Sequence, residues 1–81
     1  MDFIEKISSK DKKKLEELSS IEGTPILQML EHAVLDSVCK GICMNDKCSY
    51  TTDVEPDQIE GYCEICSTNT VRSCLSIAGI I

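Results

Sequence analysis

Apolar side chains change their rhythm near Gly41. Before it they recur at the 3.6-residue period of a helix, and after it they fall into short alternating runs. Leu15, Leu18 and Ile21 share one helical face, while Lys12, Lys13, Glu16 and Glu17 face water. Ser8 or Ser9 can accept from the free N–H groups of a first turn, and Gly23 can adopt the left-handed conformation that ends a helix. Thr24-Pro25 then opens a second helix, with Thr24 as the cap and Pro25 at a position where a missing N–H costs nothing. Ile26, Leu27, Leu30, Ala33, Val34 and Val38 give it a wide apolar stripe, and Gly41 marks its stop. Residues 1–8 read equally as a short strand or a frayed helical turn.

Beyond Gly41 the period is two. Tyr50 to Val54 suits a strand, Glu55-Pro56-Asp57 a turn, and a short strand should lead into Cys63. From Thr70 the pattern predicts a final strand with Val71, Leu75 and Ile77 on one face, packed on the second helix. The expected class is therefore α+β, with a helical hairpin over residues 1–40 and a β-rich unit over 41–81 forming one compact body.

A chain of 81 residues buries a modest share of its surface and often needs a staple. Six cysteines could supply one. The start Met1-Asp2-Phe3-Ile4-Glu5-Lys6 lacks the basic-then-apolar order of a secretory signal, and no apolar run is long enough to span a membrane. The expectation is a cytoplasmic protein, where clustered cysteines are more often metal ligands than disulfides.

Cys43 and Cys48 form a C-x4-C pair, and Cys63 and Cys66 a C-x2-C pair. Each interval is short enough for a tight knuckle, and the 14 residues between the pairs leave room for two strands and a turn. Two knuckles joined by a hairpin would place four sulfurs about 2.3 Å from one Zn²⁺. All four positions would then be filled by protein, as in structural sites. A disulfide framework and a rubredoxin-like iron site remain alternatives. A thioredoxin-type redox pair needs a βαβ unit for which the chain has no room. Cys39 and Cys74 read as small buried apolar side chains, or as a substitute ligand and a transient thiol pair. His32, the one histidine, lies at the edge of the apolar stripe.

Gly41-Ile42-Cys43 through Cys48-Ser49-Tyr50, followed by Gly61-Tyr62-Cys63-Glu64-Ile65-Cys66, resembles a zinc ribbon. It departs from the usual form by two extra residues in the first knuckle and by Ser67 where glycine is common. The layout also resembles short uncharacterised bacterial and phage proteins with a helical start and a C-terminal ribbon. Leu15-Glu-Glu-Leu18-Ser-Ser-Ile21-Glu-Gly23-Thr24-Pro25 through Gln28 to Val34 is similar to the helices of ribbon-helix-helix proteins. That second resemblance implies a homodimer whose paired N-terminal strands, here Asp2 to Ile7, read DNA. Asp2 to Ile7 lacks the basic and amide side chains that base readout prefers.

The net charge of −6 argues against binding carried by phosphate neutralisation alone. One basic cluster, Lys10, Lys12, Lys13 and Lys14, could touch phosphates, or could be a solvated helix face. No nucleophile-plus-base pair, phosphate loop or open metal position is legible, so an enzyme is not expected. Two classes follow. One is a regulatory zinc module with a protein partner, using Asp53, Glu55, Asp57, Glu60, Glu64 and Tyr50 or Tyr62. The other is a nucleic-acid-binding regulator.

Overall fold

The computed structural model describes residues 8–80. Helix α1 (Ser9–Glu22) begins at Ser8, whose hydroxyl accepts from the Asp11 N–H at 3.1 Å. It ends at Gly23, with φ of 67°, where Thr24 N–H reaches Ser19 O at 3.1 Å and Gly23 N–H reaches Ser20 O at 3.3 Å. That pairing satisfies carbonyls the helix leaves open. Helix α2 (Ile26–Leu35) follows at once. Its cap is Pro25 rather than Thr24, whose hydroxyl turns back to the Glu22 carbonyl instead of serving the helix.

Helix α2 stops earlier than expected. Asp36 has extended backbone angles and only its N–H continues the ladder, to His32 O. Cys39 then opens strand β1 (Cys39–Cys43), so Gly41 is a strand residue and not a helix terminator. It is glycine for another reason: a Cβ there would meet Arg72 O and Val54 Cγ2 at 2.8 Å. The predicted apolar stripe is buried only in part. Leu30 and Ala33 are inside with Met29, whereas Leu27, Val34 and Val38 are exposed, as is Leu35.

Strands β2 (Thr51–Val54), β3 (Gly61–Cys63) and β4 (Thr68–Ser73) complete an antiparallel sheet of order β2-β1-β4-β3. The turn after β2 closes with Gln58 N–H on Glu55 O. The chain beyond Ser73 is not the predicted strand. Ser73 caps a one-turn helix α3 (Cys74–Ile77), accepting from Ser76 N–H at 3.1 Å. The serine hydroxyl opens the turn, and because all of Cys74–Ile77 is buried, Leu75 and Ile77 can both be apolar although i and i+2 lie on opposite sides of a helix. Leu75 and Ile77 still go inward, against both long helices.

The main core joins Leu15 and Leu18 of α1, Leu30 of α2, Ile42 of β1 and Leu75 and Ile77 of α3. A second, smaller cluster holds Cys43, Cys48, Cys63 and Val71. Two helices followed by an antiparallel sheet make the fold α+β. The ribbon predicted for Asp2 to Ile7, and any dimer built on it, lies outside the described residues.

Candidate metal centre

The sheet brings both knuckles to one end. Cys43 is the last residue of β1 and stands opposite Val71 of β4. Its N–H donates to Tyr50 O at 2.9 Å, and Met44 N–H donates to Thr70 O at 2.8 Å, so both sides of the first loop are anchored. Within that loop Cys48 N–H returns to Asn45 O at 3.1 Å. Cys63 ends β3. Cys66 N–H points at Cys63 Sγ at 3.3 Å, and Ser67 N–H donates to Cys63 O at 2.8 Å. Ser67 takes φ of 57°, the left-handed turn for which glycine is the easier residue.

The four sulfurs lie within 4.8 Å of one another. Cys43 Sγ is 3.9 Å from Cys66 Sγ, and Cys48 Sγ is 3.7 Å from Cys63 Sγ. A tetrahedron with metal–sulfur bonds of about 2.3 Å has edges of about 3.8 Å. Two edges already have that length, and the donor set is compatible with a tetrahedral thiophilic cation. Among the described residues, this is the one place where three or more histidine, cysteine or acidic donors converge.

The surroundings differentiate the thiols. Burial disfavours ionisation of Cys43, but the Thr70 hydroxyl, 3.1 Å from its sulfur, and the Asn45 N–H outweigh it and bring it to about 7. Cys48 is favoured as thiolate by Tyr50 N–H, yet burial and three crowding sulfurs carry it up to about 12. Four thiols this close cannot all ionise alone, and a bound cation would supply the missing charge. Thr70 was not legible as a site residue. Its spacing from Cys66 is the only local signal, and its role depends on the β1–β4 register.

The other cysteines belong elsewhere. Cys39 and Cys74 are buried in the main core, and burial together with the neighbouring Cys39 pushes the Cys74 thiol up to about 12. Cys39 is thus not a substitute for Cys43. His32 is exposed on α2, is not among the converging donors, and lines a depression with Glu22, Asp36 and Lys40.

The lysine cluster divides. Lys10, Lys12 and Lys13 are exposed, but Lys14 is 2% exposed. Its ammonium donates to Asn45 O at 2.6 Å and Cys48 O at 2.7 Å, inside the first knuckle. It therefore has no face for a phosphate. A helical-wheel signal existed: Lys14 sits four residues before Leu18, on the buried side. The acidic residues Asp53, Glu55, Glu60 and Glu64 are exposed and, with Tyr50 and Tyr62, line a shallow groove of about 610 Å³ across the sheet.

No helix among the described residues is long and apolar enough to cross a membrane. No family model, curated protein or solved structure matches the chain. Four close cysteines in a small α+β fold are compatible with a zinc-ribbon-like site, and that is the affinity the geometry supports.

Proposed function

We propose that this chain is a non-catalytic zinc-binding module that acts in a regulatory setting through a protein partner. The observation that carries the metal reading is the convergence of Cys43, Cys48, Cys63 and Cys66 at tetrahedral spacing. Four protein ligands leave no position for water or substrate, which is the arrangement of structural zinc and not of catalytic zinc. The longer first knuckle favours zinc over a rubredoxin-like iron centre. The partner reading draws on the groove that Tyr50, Tyr62 and the acidic residues line. Aromatic residues are enriched at protein interfaces, and an acidic face repels nucleic acid.

Native mass spectrometry of freshly purified protein, with and without chelator and at two concentrations, tests the first half. One zinc per chain is the expected result. A metal-free mass lowered by paired hydrogens would mean disulfides and would end the proposal. For the second half, duplex DNA is the counter-probe. A salt-dependent affinity abolished by replacing Lys10, Lys12 and Lys13 would replace the protein partner with nucleic acid.

A further inference from the structure

The first knuckle is wider than the second by two residues, and an open loop of this kind needs outside support. Helix α1 supplies it along a single face. Lys10, Lys14 and Glu17, spaced by four and three residues, all address the loop from Asn45 to Ser49. Lys10 Nζ is 3.9 Å from Asp46, and Ser49 donates to Glu17 at 3.1 Å. Both of these pairs are exposed and contribute little. Between them lies Lys14, almost wholly buried, with its ammonium on the carbonyls of Asn45 and Cys48 and Glu17 at 3.9 Å.

Burying an ammonium is unfavourable unless charge and hydrogen bonds compensate it. The Glu17 carboxylate is one compensation. A dianionic four-thiolate metal centre, to which Cys48 belongs, would be the other. The need is mutual: that centre gains a cation on the backbone of one of its ligands, and two loop carbonyls that face helix α1 gain donors. Hydrogen bonds from a charged donor are the strong ones, so Lys14 restrains the loop at two of its carbonyls.

We propose that Lys14 is a positioning residue of the metal centre, clamping the C-x4-C knuckle through the carbonyls of Asn45 and Cys48 and so fastening helix α1 to the metal. This rests on the metal-binding reading above. Residues that support ligands in this indirect way typically change metal affinity by about 10- to 100-fold when replaced.

The test uses the full chain loaded with Co²⁺ or Zn²⁺. Variants Lys14→Met, Lys14→Gln and Lys14→Arg are compared with Leu18→Ala, which weakens the same helix without touching the knuckle. Metal affinity is measured by chelator competition, and hydrogen exchange is followed by segment in the loaded protein. Lys14→Met should lose about 10- to 100-fold in affinity. It should also speed exchange in residues 44–49 while leaving residues 63–67 unchanged, and Lys14→Arg should restore part of both. Leu18→Ala should not open 44–49 selectively. If Lys14→Met fails to fold with metal, Lys14→Gln, which keeps a neutral donor, gives the same selective reading. An affinity within twofold of the unmodified chain, or exchange raised equally in both knuckles, overturns the proposal. Absence of tetrathiolate cobalt bands in the unmodified chain would instead overturn the metal reading beneath it.

Discussion

Chelation should dismantle the end of the sheet that carries the sulfurs while sparing part of the helical side. The reason lies in what surrounds the site. Of the four buried members of that cluster, three are candidate ligands and Val71 is the one aliphatic side chain, with Tyr50 and Val54 packed against it only in part. Burying one such side chain contributes about 1.5–3 kcal/mol. Strand β3 pairs only with β4, and its register breaks between Gly61 and Cys63. Each residue held in place costs about 1–2 kcal/mol of backbone entropy, so Val71 offsets the ordering of only one or two residues. Structural zinc contributes about 10–16 kcal/mol in small peptides at neutral pH. A whole domain is typically stable by about 5–15 kcal/mol. Removing the metal therefore reverses the balance for residues 43–71. The measurement is hydrogen exchange by segment, with far-ultraviolet circular dichroism alongside, before and after a strong chelator under reducing conditions. Protection between Cys63 and Thr70 should vanish, while Leu15, Leu18 and Leu30 keep residual helix together. If the chelated protein retained protection at Cys63–Thr70 near that of the loaded form, the reasoning would be refuted.

Leu18→Ala, at a fully buried position between α1 and the other elements, should cost about 2–5 kcal/mol in urea unfolding of the loaded protein; a loss under 1 kcal/mol would mean that the core is not packed as described. Ser67→Val should lower stability by about 1–2 kcal/mol because a branched side chain resists φ of 57°, whereas Ser67→Gly should be neutral or mildly stabilising in the same thermal melts. Acidification should release the metal. Thiols with pKa values from about 7 at Cys43 to about 12 at Cys48 regain protons as pH falls, so protons displace the ion. Apparent affinity should drop by more than about tenfold per pH unit below neutrality, and a flat affinity from pH 7 to 5 in a competition assay would contradict thiolate ligation.

The cysteine quartet and the first helix were legible because their signals are local. Paired cysteines at short intervals announce a knuckle wherever the chain goes, and Ser8, Leu15, Leu18 and Gly23 each act within one or two turns. The α+β class followed from the change of period at Gly41, although Gly41 itself lies inside β1. What escaped depends on distant partners. Gly41 reads as a helix stop until Arg72 and Val54 are seen pressing on it. Leu75 and Ile77 read as strand residues until Ser73 is seen capping the turn that contains them. Val34 and Val38 read as core from their spacing, but only Leu30 and Ala33 of that stripe, with Met29, are buried. Lys14 read as one charge in a basic run, since nothing in its neighbours says that two carbonyls of a loop far along the chain point at it.

The strand order has a consequence for timing. Strands β1 and β2 make one hairpin, which carries Cys43 and Cys48, and β3 and β4 make another, which carries Cys63 and Cys66. Their strands pair where β1 lies against β4, a pairing between residues far apart in sequence. Such late, non-local encounters are the slow steps of folding. An ion held by two thiolates of one hairpin would draw in the two of the other, and Cys48 and Cys63 are only 15 positions apart. The long search for β1–β4 register then becomes the closing of a short loop, for which the entropic cost is smaller. On the metal-binding reading proposed above, refolding should accordingly be faster with the ion present than without it, and stopped-flow refolding with and without Zn²⁺ checks it.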